Sequence, residues 1–353
     1  MEITLTKTTA PKQKPEDGVL GFGQYFTDHM FLMDYEPEKG WRDPRIVPHG
    51  PLSLDPAAMC LHYGQELFEG LKAYRGADGK VRLFRYRDNI RRFNRSCERL
   101  DIPVIDEEAF REALFALLRL EMDWVPRSAD TSLYIRPYLI ATDPFIGVRS
   151  SKSYLFIILL SPVGAYYKGG LSPTGIYVET EDVRAVRGGM GSVKAAANYA
   201  ATLRAQTRAG AKGFAQVMWL DALERKYVEE VGTSNAFFVF GGTVVTPPAG
   251  GSILPGITRD SCLCLLREWG VPAEERLISI DEVWQAHAGG RLSEAFATGT
   301  AAVVSPVGKF CYNGETIVIG DEPGPVARRL YDALTGIQWG RTPDTMGWTE
   351  GIG

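Results

Sequence analysis

Two apolar runs close together in the chain, SLYIRPYLIA (132–141) and SYLFIILLSPVG (153–164), restrict the fold more than any other stretch. They are rich in β-branched and aromatic residues and too short to be membrane spans. Continuous apolar runs of this kind are strands covered on both faces, so they predict two adjacent buried strands. The surrounding signals build an α+β half on them. Tyr25 to Pro56 mixes short apolar runs with GW, DP and HGP breakers, the pattern of strands and turns. VRLFR (81–85) alternates like a strand, and Asp88 stands where it could cap a helix over Asn89 to Leu100. Asp106, followed by two glutamates, starts an amphipathic helix carrying Phe110, Leu114, Leu117, Leu118 and Met122.

The glycine-bearing stretch YYKGGLS (166–172) reads as a crossover to a second half. The expected division is a domain over 1–166, a linker over 167–174 and a domain over 175–353. The second half is expected to hold a helix from about Lys194 to Gly210 and strands at FAQVMWL, YVEEV and AFFVF. A helix at ITRDSCLCLLREWG ends at Gly270, Asp281 is placed to cap a shorter one, and strands at EAFATG, AAVVSPV and ETIVI precede a last helix over Pro325 to Ile337.

Charge and cysteine usage narrow the partners. The net charge is −4 across 353 residues, with no basic run of five or more, so neither nucleic acid nor an anionic membrane is indicated. Five cysteines, an odd number without a CxxC, suggest neither a disulfide framework nor a zinc site. With a polar start, Met1 to Asp17, the chain is expected to be cytoplasmic and to act on small molecules, with no metal.

Within RGGMGSVKAAANYAA (187–201), one lysine sits between a glycine-rich turn and an alanine-rich run. Most lysines are solvated surface charges. At a helix start, however, the dipole opposes the charge of Lys194, and Met190, Val193 and Ala195 to Ala197 offer little solvation. That setting predicts an amine able to attack a carbonyl and form a Schiff base. A phosphate loop is the rival reading, but GGMGSVK lacks the GxxxxGK[ST] spacing.

GGMGSVKAAANYA, followed in register by YVEEVGTSNAFFVF, ILPGITRDS and ATGTAAVVSPVG, resembles the branched-chain amino acid aminotransferases of the fold-type IV pyridoxal-phosphate enzymes. The likeness begins at FGQYFTDHMF, passes through LHYGQELFEGLKAYRG and runs to the helix before Gly340. It implies the two-domain α+β fold of the D-amino acid aminotransferase-like enzymes, with pyridoxal 5'-phosphate between the domains. It implies a reversible ping-pong exchange of the amino group between L-leucine, L-isoleucine or L-valine and 2-oxoglutarate. By the same resemblance the chain forms homodimers, or larger assemblies of them.

Residue by residue, the resemblance makes Lys194 the cofactor-bearing and proton-shuttling base. Tyr199 would bond the cofactor's phenolic oxygen, and Glu230 would pair with its ring nitrogen. Glu229, its neighbour, is expected to point the other way onto a solvated face. Arg92, in NIRRFNRSCERL, takes the family's phosphate-arginine position, where a guanidinium fork matches phosphate oxygens. Gly256, Ile257 and Thr258 open a helix and would offer donors to the same phosphate, joined by the hydroxyl of Thr300. The amides of Thr300 and Ala301 would receive the substrate carboxylate. Phe22, Tyr63, Phe68, Tyr134 and Tyr166 would form the pocket walls. Arg136, set in an apolar run and costly to bury unpaired, would receive the side-chain carboxylate of glutamate.

One departure stands out: Ala302 and Ser305 lie where some members carry a redox-active thiol pair, so thiol switching is not expected there. A D-amino acid aminotransferase or an aminodeoxychorismate lyase would share Lys194, Glu230 and the phosphate cup. The long first half with FTDHM, and the Tyr63 and Arg136 pair, argue against both. A non-catalytic protein that only binds the cofactor is disfavoured because every chemical position remains filled.

Overall fold

The computed structural model describes residues 1–164 and 171–352; Tyr166 and the first half of the expected linker lie outside them. The described residues fall into two compact units. The first runs from Met1 to residue 164 and adds Lys194–Ala196 and the chain from Gly336 onward; the second holds residues 171–193 and Ala197–Thr335.

The first unit is built on one sheet. Its strands are β1 (Thr4–Leu5), β2 (His29–Glu36), β3 (Gly40–Pro48), β4 (Glu66–Phe68), β5 (Leu71–Arg75), β6 (Val81–Phe84), β7 (Ser132–Ala141) and β8 (Tyr154–Val163). The order is β1-β3-β2-β8-β7-β5-β6, the last strand of the chain (Thr349–Gly351) follows β6, and β4 pairs with β7. The two apolar runs are indeed neighbours, antiparallel along their whole length from Ser132↔Val163 to Ala141↔Tyr154. Strict alternation then sorts β7. Leu133, Ile135 and Leu139 enter the main core, whereas Tyr134, Arg136 and Tyr138 project from the other face.

Helices α1 (Met59–Tyr63), α2 (Tyr86–Arg99) and α3 (Glu107–Leu120) complete this unit. Asp106 caps α3 by accepting from the amides of Glu108 and Ala109, as its sequence predicts. Asp88 does not cap α2: the helix starts earlier, after Arg85 in a left-handed conformation, and Asp88 pairs with the Arg85 guanidinium at 2.7 Å. Phe31, Phe93, Phe110 and Phe156 pack edge-on or tilted where α2 and α3 meet the sheet.

The second unit holds β9 (Thr174–Val178), β10 (Gln216–Leu220), β11 (Val228–Val231), β12 (Ser234–Phe240), β13 (Thr243–Thr246), β14 (Ala273–Glu275), β15 (Leu292–Gly299), β16 (Val303–Tyr312) and β17 (Glu315–Val318). β11 pairs with both β10 and β12, which closes β9, β10, β11, β12, β15 and β16 into a ring. Closure removes sheet edges, and the interior fills with Val178, Met218, Leu220, Phe238, Ala297 and Phe310. Its helices are α4 (Ala197–Ala200), α5 (Leu203–Ala211), α6 (Ile257–Glu268), α7 (Ile280–Ala288) and α8 (Pro325–Gln338). Ser279, rather than Asp281, caps α7. Among the described residues no helix is long and apolar enough to cross a membrane.

Phe156 is fully buried and touches the rings of Phe31, Trp41, Phe93 and Phe110. Phe156→Ala is expected to destabilise the first unit by about 3–5 kcal/mol, read from urea unfolding. A cost below about 1 kcal/mol would show that this junction is not a packed core.

Candidate active site

Lys194 does not begin a helix. A non-local pairing overrides the alanine propensity: Ala195 bridges Leu67, the Phe68 amide donates to the Lys194 carbonyl at 3.1 Å, and the Ala196 amide reaches the Glu66 carbonyl at 3.3 Å. The Lys194 amide donates to Ser96 Oγ on α2 at 3.1 Å. Helical structure starts only at Ala197 and breaks before α5. The lysine is therefore positioned by strand pairing, not by a helix dipole.

Its amine lies 4.7 Å from the centre of the Phe68 ring. Arg136 lies over the same ring at 4.4 Å and donates to the Tyr134 hydroxyl at 3.1 Å. Phe22 packs edge-on against Tyr134, 5.0 Å between ring centres. The pairing Phe68↔Tyr138 and Lys72↔Tyr134 puts Phe68, Lys72, Tyr134 and Arg136 on one sheet face. Five of the expected residues, Phe22, Phe68, Tyr134, Arg136 and Lys194, thus form one cluster. Tyr63 instead is partly exposed on α1 and donates to the Ile146 carbonyl. No carboxylate among the described residues pairs with Arg136, and its buried Nε has no hydrogen-bond partner there. Gly70 is required beside the cluster, because a Cβ would stand 2.0 Å from the Tyr134 hydroxyl.

Arg92 is buried on α2 and forks onto Glu69, Nε to Oε1 at 2.6 Å and Nη2 to Oε2 at 3.0 Å. Asn89 and the Gly70 amide also donate to Glu69 Oε2, at 2.8 and 3.0 Å. Burial alone would raise the Glu69 carboxyl, but the Arg92 guanidinium and the Lys194 amine outweigh it and hold the group below its ordinary range. Neither Glu69 nor Ser96 stood out in the sequence. Lys72, also unremarked there, is buried, and desolvation pushes its amine down to about 8.

In the second unit Tyr199 and Glu230 line one narrow cleft with Arg184, Asn198, Thr233 and Leu254. Glu230 is 3% exposed; its Oε1 accepts from the Leu254 amide at 3.0 Å and its Oε2 lies 2.9 Å from Arg184 Nε. Asn235, opposite Glu230 in the β11–β12 pair, donates to the Leu254 carbonyl at 2.9 Å. Two residues beyond Leu254 comes Gly256, where a Cβ would meet Asn235 Oδ1 at 1.9 Å, so only glycine fits. Gly256 is the N-cap of α6, whose start carries no side-chain cap, with Thr258 buried in its first turn. Thr300 and Ala301 lie in the turn between β15 and β16; just beyond it Val303 takes φ +63, a strained value for a β-branched residue.

Glu229 departs from expectation. It is 5% exposed rather than solvated, because the β10–β11 register shifts between Met218 and Leu220 and Ser252 donates to its Oε1. Arg184 is the residue that sequence reading missed beside Glu230; it stands far upstream among ordinary surface charges.

These groups suit a phosphorylated pyridine aldehyde. A helix start without a side-chain cap, reached over a glycine with no room for a Cβ, suits a phosphate. A buried carboxylate suits a protonated ring nitrogen, and a lysine suits an aldehyde.

Because the Glu69 carboxyl is lowered, its pairing stabilises the fold above the ordinary glutamate value and is lost as pH falls through the lowered one. Wild type is expected to lose stability on acidification below pH 4.5. Glu69→Gln should cost about 3–5 kcal/mol at neutral pH and show a shallower acid limb. Equal acid limbs in thermal melts would refute the pairing's role.

The model of the amino-transferase class IV family matches residues 66–310. Branched-chain-amino-acid transaminase 1 of Bacillus subtilis is 56% identical over 349 residues, 98% of each chain. The solved branched-chain amino acid aminotransferase of Escherichia coli superposes with a TM-score of 0.77 at 27% identity, covering 92% of this chain and 99% of that one. That of Thermobaculum terrenum, in its pyridoxal-phosphate form, gives 0.74 at 25% identity over 92% of this chain and 98% of its own. The chain belongs to the amino-transferase class IV family and, within it, to the branched-chain-amino-acid aminotransferases of fold type IV.

Proposed function

We propose that the chain exchanges the α-amino group of L-leucine, L-isoleucine or L-valine with 2-oxoglutarate, reversibly and by a ping-pong route, with pyridoxal 5'-phosphate held on Lys194. The observation that carries this is Arg136, a cation without a carboxylate partner among the described residues, set on an aromatic face shared with Lys194. The cofactor supplies an aldehyde that takes up the amino group and a ring that absorbs the electrons left on Cα. The amine of Lys194 holds it and then carries the proton from substrate Cα. Glu230, anchored by Arg184 and the Leu254 amide, holds positive charge on the ring nitrogen. Tyr199 donates to the ring oxygen. Arg92, the start of α6 at Gly256, Ile257 and Thr258, and the Thr300 hydroxyl hold the phosphate.

The amides of Thr300 and Ala301 receive the substrate carboxylate. Phe22, Phe68 and Tyr134 wall an aliphatic side chain, with Tyr63 and Tyr166 as further walls. When glutamate binds, Arg136 takes its distal carboxylate. One pocket thereby accepts a branched hydrocarbon in one half-reaction and an anion in the other.

The chain works in the cytoplasm as a homodimer, its sites lying in the N-terminal domain 1–166 and the C-terminal domain 175–353. Exposed Leu61, Tyr63, Phe145, Ile146 and Val148 offer an apolar face suited to a two-fold contact. Sedimentation showing only monomers at micromolar concentration would overturn the dimer.

Purified protein given L-leucine and 2-oxoglutarate is expected to form glutamate. Turnover of D-alanine with none of L-leucine would overturn the reading. Lys194→Ala should abolish turnover in a folded protein. Arg136→Ala should raise KM for 2-oxoglutarate about tenfold or more while leaving that for L-leucine little changed. An equal effect on both substrates would remove Arg136 from its assigned role.

A further inference from the structure

A second cavity, of about 560 Å³, opens within the second unit beneath the 221–227 loop, on residues distinct from those around Tyr199 and Glu230, though its Glu229 adjoins Glu230 in the chain. Its size is that of a small-molecule site. Val186, Leu223, Ile253 and Leu277 give it apolar walls, and Leu223 is 90% exposed at the opening.

Of the charges in the lining, Glu224 is solvent-exposed, whereas Glu229 and Arg187 are incompletely matched among the described residues. Glu229 Oε1 is bonded by Ser252, but the buried Oε2 accepts no hydrogen bond among the described residues. A buried carboxylate oxygen left unmatched is costly, and burial raises the carboxyl accordingly. Arg187, exposed at the rim, makes no ion pair with any described residue, and its charge is felt at Glu229. Asp221 also borders the cavity but is already engaged. Its two oxygens accept the amides of Leu223, Glu224, Lys226 and Tyr227, which shapes the loop instead.

We propose that this cavity binds a zwitterionic α-amino acid with an aliphatic side chain, its ammonium on Glu229, its carboxylate on Arg187 and its side chain against Leu223, Ile253 and Leu277. A simple amine would leave Arg187 unused, and a simple acid would leave Glu229 unmatched. An α-amino acid carries both charges on adjacent atoms and presents its hydrocarbon beyond them. The site also has a short route to the catalytic carboxylate. Ser252 donates to Glu229 through its hydroxyl and accepts from Arg184 through its carbonyl, and Arg184 pairs with Glu230. The functional weight of that route rests on the role proposed for Glu230; occupancy of the cavity does not.

The test uses cofactor-loaded enzyme reduced with borohydride, which fixes the cofactor on Lys194 and stops turnover. Calorimetric titration with L-isoleucine is expected to show saturable binding that Glu229→Gln and Arg187→Ala each weaken about tenfold or more. L-Leucinamide and 4-methylvalerate, each lacking one charge, should bind correspondingly more weakly than L-leucine. Arg187 is exposed, so its variant keeps the test decisive even if Glu229→Gln fails to fold. Absence of saturable binding, or binding that both variants retain in full, would overturn the site. So would sedimentation in which Leu223→Ser dissociates an oligomer, since a second copy of the chain would then be the occupant. Loss of catalysis in the unreduced enzyme is read separately and bears only on the roles of Lys194 and Glu230.

Discussion

The buried carboxylate of Glu69 holds the first unit's candidate residues in one place. It receives the Arg92 fork from α2, the Asn89 amide one turn earlier and its own neighbour's backbone amide at Gly70. One side chain therefore fastens α2 to the segment that follows β4. Four residues beyond Arg92 on that helix, Ser96 takes the backbone amide of Lys194. Lys194 and the expected phosphate arginine are thus referenced to the same helix. A buried ion pair adds little net stability relative to apolar packing, yet breaking one side of it is expensive. What such a pair secures is geometry, and here the geometry is the relation of a guanidinium to an amine.

The second unit fixes its groups by closing a ring of strands. β11 is short, and its pairing on both sides leaves Glu230 opposite Asn235 with little freedom. Asn235 then stitches Leu254 and leaves no space for a Cβ at Gly256, so the start of α6 is registered to the same strand pair as Glu230. Glu230 and the start of α6 are thereby spaced by covalent geometry and one amide side chain.

Much of this was legible in the sequence because it was written locally. The apolar runs of β7 and β8, the Asp106 cap of α3 and the glycine that ends α6 each depend on residues a few positions apart. The lysine, Tyr199, Glu230 and the PGIT turn lay in motifs whose register carried the family. What escaped was non-local. The alanine run after Lys194 reads as helix, yet a bridge to Leu67, distant in the chain, and the flanking backbone hydrogen bonds hold Lys194 to Ala196 out of the helix. Glu229 reads as a solvated face, yet a register shift and a serine from another loop bury it. Arg184 and Glu69 look like ordinary surface charges until the fold supplies their partners. The last strand, Thr349–Gly351, is too short to carry a pattern and exists only because β6 leaves an edge to pair.

The placement of Lys194 to Ala196 also bears on how this protein can be divided. By contacts these three residues belong with the first unit, although the chain on either side of them belongs to the second. A fragment cut after the first sheet would lose the segment that bridges Leu67, and the remaining fragment would carry the lysine with nothing to hold it straight. The units are therefore not interchangeable modules. Insertions, permutations and domain exchanges that would be harmless at an ordinary linker are confined to places outside this three-residue thread, and Lys194 keeps its setting only when both halves are inherited.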